Sequence, residues 1–270
     1  MTSPLDVFGK LTVEPVEPFG LMVRPTEPGI SITDVPPHTL ARWCGEAKVL
    51  VLRDFEPLDK ESFLGYAQSW GQLLEWPFGY VLDLQVHEDP GNYLFTPGPV
   101  PYHWDGAFAA KVPSYMFFHC RQAPTRGSGG ATTFCDTTRV LEQAPDEVVT
   151  RWKDTQVRYV TEKVAHYGGD VTTPLSSLHP ITRERVIRFA EPLDPAEYKN
   201  PVSVEIPGLD KESQEALISD LQQRLYEPDA MYAHEWADGD FVLADNHTVL
   251  HGRQAFHADS PRHIQRIHIL

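Results

Sequence analysis

From residue 114 onward the chain is a succession of short strand-like segments separated by turn residues. Each segment is rich in β-branched and aromatic residues, as strands are. The segments are 115–121, 130–135, 156–161, 185–190, 202–206, 241–245 and 262–269. A single helix interrupts them at 211–226, with Asp210 as its N-cap. This pattern predicts a mainly β fold with flanking helices, built on a double-stranded β-helix (jelly roll) of two sheets packed face to face.

The first third of the chain is predicted to be mixed. Residues 20–24 and 48–53 are expected to form strands, whereas residues 37–47 and 60–70 are expected to form helices. The Pro- and Glu-rich residues 1–19 are expected to wrap the outside of the domain. Segment 165–182 is rich in Gly, Thr, Ser and Pro, which indicates either a lid over a site or an ordered surface loop. We expect residues 1–270 to form a single domain.

Composition restricts the partners of this protein. The 270 residues carry a formal net charge of −15, which argues against nucleic acid or an anionic membrane as the main partner. The cysteines Cys44, Cys120 and Cys135 show no metal-binding spacing and are expected to be reduced core residues. The N-terminus lacks the pattern of a signal peptide, and no apolar run approaches the ~20 residues of a membrane span. We therefore expect a cytoplasmic protein. The sequence leaves its oligomeric state open, and a homo-oligomer is one possibility.

The strongest chemical pattern is His103-x-Asp105 together with the distant His251. Residues i and i+2 of a strand point to the same face, so the first two side chains can reach one point. Two imidazoles and one carboxylate are the ligand set of a facial Fe(II) site. A surface loop or a hydrogen-bonded core pair would also explain His-x-Asp alone. A zinc hydrolase is disfavoured because the chain contains no His-Glu-x-x-His.

A second pattern lies at the C-terminus, where Arg262 and Arg266 share one face of a predicted strand. A planar guanidinium suits two-point capture of a carboxylate. Pairing with internal acidic residues, or exposure to water, is the alternative. A third, weaker pattern is Gly129-Gly130-Ala131-Thr132, in which the backbone can approach a ligand and the Thr hydroxyl can donate to a carboxylate.

In their order along the chain, H-x-D, G-G-x-T, D-N-x-x-x-x-H and the two arginines resemble the TauD/TfdA family of Fe(II)/2-oxoglutarate dioxygenases. The resemblance covers the chain from about residue 48 onward. It implies that His103, Asp105 and His251 bind Fe(II) and act in catalysis, with 2-oxoglutarate and O2 as further reactants. Thr132 and Arg262 would hold the distal carboxylate of 2-oxoglutarate. Arg266 would lie near the chelating end of 2-oxoglutarate and bind the anionic group of the substrate.

Within the family, six segments look like the PvcB-type dioxygenases, which act on an isonitrile made from tyrosine. These segments are 76–79, 103–106, 118–120, 132–134, 232–234 and 250–256. This likeness implies a small aromatic anionic substrate that is desaturated, with or without loss of CO2, in natural-product biosynthesis. Tyr102 and Phe78 are candidates for the aromatic wall of the substrate site. Pro99 stands where taurine dioxygenases carry an Asn, which argues against taurine as substrate.

Two alternative functions stay open at this point. One is a TauD-like hydroxylase of another small anionic substrate, and the other is a jelly-roll binding protein without catalysis, because a fold alone does not define a function. His119, His234 and His268 are expected near the barrel interior as hydrogen-bonded structural residues.

Overall fold

The computed structural model describes residues 8–164 and 167–270. The strands of these ranges, in chain order, are β1 Leu11–Pro15, β2 Leu21–Pro25, β3 Val49–Leu52, β4 Leu82–Leu84, β5 Val100–His103, β6 Tyr115–Gln122, β7 Thr132–Asp136, β8 Gln156–Val164, β9 Tyr167–Pro174, β10 Ser176–Leu178, β11 Arg185–Ile187, β12 Ser203–Glu205, β13 Met231–His234, β14 Phe241–Asp245, β15 Val249–Arg253 and β16 His263–Ile269. The helices are α1 Pro37–Ala47, α2 Lys60–Gln68, α3 Thr137–Gln143, α4 Asp146–Asp154 and α5 Lys211–Leu225. None of these helices is long and apolar enough to cross a membrane.

Two sheets form the centre of the molecule. The larger has seven strands in the order β1-β2-β3-β14-β6-β16-β4, and the smaller has four in the order β13-β7-β15-β5. Neighbours pair antiparallel except β2 and β3, which run parallel. Their facing side chains form one core, in which Val51, Phe118 and Ile264 of the larger sheet meet Phe134 and Val249 of the smaller. Two sheets packed in this way form the predicted jelly roll, which is confirmed.

The outer faces of both sheets are covered by other elements. The central strands are therefore buried on both faces, and their sequences are continuous apolar runs. Helices α1 and α2 pack Leu40 and Phe63 against the outer face of the larger sheet. The outer face of the smaller sheet packs Leu250 against α3, α4 and α5 and against a third sheet, β12-β8-β9. All four residues of β3 are buried for this reason.

Most of the predicted elements are confirmed with shifts of a few residues at their ends, but the expectation of a single helix among the later strands is wrong, because α3 and α4 interrupt them as well as α5. Asp59 and Asp210 cap α2 and α5, because their carboxylates accept the backbone N–H of Ser62 and Ser213. Helix α2 ends at Gln68, before the prediction, and a turn follows that leads to Gly71 with φ of 132°. At the N-terminus, Leu11–Pro15 forms the largely exposed edge strand β1, on the outside of the domain as expected; residues 1–7 lie outside the described ranges.

The expectation that 165–182 is irregular is wrong for most of that segment. Residues 167–174 form β9, which pairs with β8, and residues 176–178 form β10; residues 165 and 166 lie outside the described part. Gly168 makes the pairing feasible, because its φ is +112° and a Cβ there would lie 2.3 Å from the carbonyl oxygen of Glu162. The small residues serve a tight hairpin and do not indicate a loose loop.

Candidate metal centre and adjoining cavities

His103, Asp105 and His251 converge at one end of the smaller sheet. His103 ends β5, and its register partner on β15 is His251. The Nε2 atom of each histidine lies 3.7 Å from an Asp105 carboxylate oxygen, and the two imidazole centroids are 4.1 Å apart. Across the described residues this is the one group of three potential metal ligands within 4.8 Å of one another. Asp105 itself lies in the turn after β5, two residues beyond the end of the strand on which it was predicted.

The backbone of Asp105 is held by Asn246 and by the following glycine. The amide of Asn246 accepts the N–H of Asp105 at 3.0 Å and donates to its carbonyl oxygen at 2.9 Å. Gly106 turns the chain with φ of +99°, and a Cβ at this position would lie 2.7 Å from Pro113. The turn is therefore restricted to glycine, and it fixes the direction in which the Asp105 side chain leaves the strand.

The histidines have the protonation state of metal ligands. His103 Nδ1 lies 3.0 Å from the carbonyl oxygen of Pro101, which can only accept, so Nδ1 carries the proton and the Nε2 lone pair is available. Burial lowers the pKa of His103, and burial together with His103 holds the pKa of His251 well below its usual value. Both rings are therefore neutral near pH 7. Two neutral imidazoles and a carboxylate fit Fe(II).

Asp105 is kept ionised by its neighbours. Burial acts to raise its pKa, but the charge of Arg266 and the hydrogen bond from His268 outweigh burial and hold the pKa well below the usual range. Arg266 Nη1 lies 2.7 Å from Asp105 Oδ2, and His268 Nε2 lies 2.8 Å from the same oxygen. Trp76 Nε1 in turn donates to His268 Nδ1 at 3.1 Å.

His268 and Trp76 are thus part of the site, and sequence reasoning missed their role. His268 was expected to be a hydrogen-bonded structural residue, and the structure shows that its partner is the ligand carboxylate. A signal was present, because residues 266 and 268 share one strand face with Arg262. The alternation of residues along the strand places His268 on the same face as Arg266. It does not show that either residue contacts Asp105.

One cavity extends from the histidines toward Thr132 and Arg262. It is partly open to solvent, its total space with the open part included is about 370 Å³, and its lining includes His103, His251 and Arg266. Arg262 donates to Thr132 Oγ1 at 3.4 Å and to the carbonyl oxygen of Gly130 at 3.1 Å. Thr132 Oγ1 also accepts from Trp236 Nε1 at 2.9 Å, which leaves its own proton for a further acceptor. Thr132 and Arg262 are therefore in contact, and their joint binding of a carboxylate stays a prediction.

The guanidinium of Arg262 has no carboxylate partner among the described residues. Burial, reinforced by the neighbouring Arg253, lowers the pKa of Arg262 to about 9. Arg253, which the sequence did not single out, donates to the carbonyl oxygens of Leu94, Thr96 and Gly98. A buried cation beside a second cation is stabilised by an anion, so this cavity suits a carboxylate at the Arg262 end.

A second cavity, of about 660 Å³, opens on the other side of His103, Asp105 and Arg266. Its wall is largely aromatic and aliphatic. The lining includes Trp76, Tyr93, Trp104, Phe108, Tyr159, Ala190 and Val202. Arg266 borders both cavities, as its predicted position between cosubstrate and substrate requires. Such a cavity accommodates a flat apolar ring with its polar end at the metal centre.

The two predicted wall residues do not line this cavity. Tyr102 is 1% exposed and lies on the opposite face of β5 from His103, where its ring packs 4.7 Å from that of Tyr226. Adjacent residues of a strand point to opposite faces, so its placement follows from that of His103. Phe78 is 41% exposed and stacks on Trp76, with centroids 6.3 Å apart, so it contacts the wall from outside.

The hairpin of β8 and β9 backs the same cavity. Tyr159 of β8 belongs to the lining, and a Cβ at Gly169 of β9 would lie 3.9 Å from Phe108, which also belongs to it. Part of segment 165–182 therefore lies behind a cavity wall. Its role as a lid stays a prediction.

Comparisons with known proteins agree with this geometry. The model of the taurine catabolism dioxygenase TauD, TfdA family, matches residues 15–268. The 3-((Z)-2-isocyanoethenyl)-1H-indole synthase of Fischerella ambigua is 45% identical over 271 residues, covering 100% of this chain and 99% of that protein. The tyrosine isonitrile desaturase of Pseudomonas aeruginosa is 37% identical over 254 residues, covering 93% of this chain and 87% of that protein.

A solved structure described as PvcB, an Fe, alpha-ketoglutarate dependent oxygenase from an isonitrile synthetic pathway, shares the fold. It has a TM-score of 0.80 and 32% identity, and it covers 100% of this chain and 93% of that chain. The family uses Fe(II), 2-oxoglutarate and O2, and the ligand set and the anion cavity fit these reactants. The chain therefore belongs to the TauD/TfdA family of dioxygenases.

Proposed function

We propose that this enzyme oxidises a small aromatic isonitrile that carries a carboxylate, in natural-product biosynthesis. The observation that carries the proposal is the meeting of two cavities at His103 and Arg266, one with an anion-binding end and one with an aromatic wall. The similarity to two relatives named for isonitrile products or substrates supports the substrate class.

His103, Asp105 and His251 would hold Fe(II), and 2-oxoglutarate would occupy the cavity between them and Arg262. The Thr132 hydroxyl and the Arg262 guanidinium would bind the distal carboxylate, since both have unused donors there. When bound, Fe(II) with 2-oxoglutarate and O2 supplies the oxidant that removes a hydrogen atom from the substrate. The protein's part is to hold that C–H bond near the metal and to exclude water.

The substrate would lie in the aromatic cavity with its carboxylate near Arg266. Its ring would pack between Trp104, Phe108 and Tyr159, and its side-chain methylene would face the metal centre. Tyr102 acts behind the sheet as a packing residue. Phe78 would contribute only through its stacking on Trp76.

We infer that the outcome is desaturation. Loss of one hydrogen atom and one further electron from the methylene leaves a cation that the ring stabilises. Loss of the α-proton then gives the unsaturated acid, and loss of CO2 gives the vinyl isonitrile. In both cases two hydrogen atoms leave the substrate, O2 is reduced, and 2-oxoglutarate is converted to succinate and CO2.

Two rings are candidates for the substrate. The tyrosine-derived isonitrile follows from the PvcB likeness, and a tryptophan-derived one is favoured by the relative of higher identity, whose name specifies an indole product. The aromatic cavity has its charged side chains at the metal end, and the far wall is formed by side chains such as Phe108, Ala190 and Val202. An apolar wall of this kind discriminates weakly between rings of similar size.

Incubation of each isonitrile acid with Fe(II), 2-oxoglutarate, O2 and enzyme tests the proposal. A product lighter by two hydrogens, or by two hydrogens and CO2, supports it. A dominant product heavier by one oxygen means hydroxylation. If neither acid causes 2-oxoglutarate to be consumed, the remaining functions are a TauD-like hydroxylase that acts on another small anion and a binding protein without catalysis.

The setting of the reaction is part of the proposal. We place the enzyme in the cytoplasm, acting on a small molecule and not on nucleic acid or membrane. The net charge of −15 and the three free, buried cysteines support this setting.

A further inference from the structure

The carboxylate of Asp105 is linked to the aromatic cavity wall by two side chains, His268 and Trp76. The indole N–H of Trp76 donates to His268 Nδ1 at 3.1 Å. Because an indole nitrogen can only donate, this bond keeps the His268 proton on Nε2. The Nε2–H then donates to Asp105 Oδ2 at 2.8 Å. In the other tautomer, a bare nitrogen would face the carboxylate oxygen.

The two oxygens of Asp105 have different surroundings. Oδ2 accepts hydrogen bonds from His268 Nε2 and from Arg266 Nη1, the latter at 2.7 Å. Oδ1 lies 3.7 Å from His103 Nε2 and accepts no hydrogen bond from the described residues. Two donors therefore occupy Oδ2, which also lies 3.7 Å from His251 Nε2, and they leave Oδ1 without a hydrogen-bond donor among the described residues.

We propose that His268 and Trp76 are positioning residues that hold Asp105 as a metal ligand through one oxygen. The inference rests on the proposed metal site and goes beyond it, since neither residue touches the metal. Arg266 alone provides charge, but a carboxylate with a single partner rotates more freely than one with two. Trp76 acts through His268 by fixing its tautomer. Outer partners of this type commonly change metal affinity by about 10- to 100-fold.

Anaerobic titration with Co(II) tests the proposal without turnover, because the visible bands of Co(II) report its ligands. Trp76→Phe keeps an aromatic ring at this position and removes the indole N–H together with the five-membered ring. We expect the Kd for Co(II) to rise about tenfold or more, with altered bands. Trp70→Phe is the matched control, because its buried indole nitrogen has no hydrogen-bond partner among the described residues. It should leave Kd and bands unchanged.

A double-mutant cycle separates positioning from packing. His268→Ala should weaken Co(II) binding at least as much as Trp76→Phe, and Trp76→Phe should add nothing in that background. Equal effects of Trp76→Phe with and without His268, or a wild-type Kd for Trp76→Phe, would overturn the inference. Failure of the wild-type protein to bind one Co(II) would instead overturn the metal site itself. Thermal unfolding of each variant confirms that it is folded.

Discussion

His103 and His251 are register partners on the neighbouring antiparallel strands β5 and β15, and their rings lie 4.1 Å apart. Strand pairing, and not a loop, sets their separation. Two of the three candidate ligands are therefore part of the sheet itself. The third, Asp105, depends on a turn, and its side chain is held by Arg266 and His268.

Replacement of His251 by Ala should abolish stoichiometric Fe(II) binding and 2-oxoglutarate turnover. Only two ligands would remain, and the backbone pairing of β15 would be unaffected. Equilibrium dialysis under anaerobic conditions measures the loss. His38→Ala, at an exposed position on α1, is the control and should bind as the wild type does. Full turnover by His251→Ala would show that the third ligand is assigned wrongly.

Replacement of Arg262 by Ala should weaken 2-oxoglutarate binding by well over tenfold. Loss of a buried partner of a carboxylate typically costs about 2–5 kcal/mol. Titration of the metal-bound enzyme with 2-oxoglutarate gives the Kd. Replacement of the exposed Arg126 by Ala should leave it unchanged. A wild-type midpoint for Arg262→Ala would remove this role and cast doubt on Thr132 as well.

Stability should fall as the pH is lowered below 7, partly because of His119. Burial lowers the pKa of His119 to about 4, so below about pH 6.5 the unfolded chain takes up a proton that the folded protein does not. This difference in proton uptake lowers the free energy of unfolding by about 2 kcal/mol between pH 7 and pH 5. His119→Phe keeps the stacking on Phe241 and should lose less stability over that range in urea unfolding. An identical pH dependence of both proteins would contradict this explanation.

A larger side chain at position 190 should reduce activity more with the indole isonitrile than with the phenol isonitrile. This residue lines the aromatic cavity, so Ala190→Leu should reduce kcat/KM for the indole isonitrile by about tenfold more than for the phenol. Competition between the two substrates measures the ratio directly. Ala196→Leu, at an exposed position, should leave the ratio unchanged. Equal losses with both substrates would mean that the ring does not lie against Ala190.

The jelly roll and the closeness of His103 to His251 were predictable because both depend on strand pairing, whereas Asp105 lies in a turn after β5. The alternation that places Arg262 and Arg266 on one face also requires Tyr102 to point away from His103. Tyr102 was nonetheless assigned to the cavity because of its type and its closeness in sequence. The strand period was the better guide, and the structure agrees with it.

Other features depend on contacts that no local pattern contains. The bond from Trp76 to His268 joins a loop to the last strand, and periodicity gives the face of a residue but not its partner. Phe78 lies in a loop, where no period applies. The composition of segment 165–182 indicates a lid or a surface loop, yet its glycines allow a tight hairpin.

The central claim is that one site binds Fe(II) through His103, Asp105 and His251 and 2-oxoglutarate through Arg262. Anaerobic addition of Fe(II) and then 2-oxoglutarate tests it most directly, because the chelate gives a weak visible charge-transfer band. The wild-type protein should develop this band at one equivalent of each. Arg262→Ala should need far more 2-oxoglutarate to reach it. Absence of the band from the wild-type protein, with Fe(II) and 2-oxoglutarate both in excess, would contradict the account.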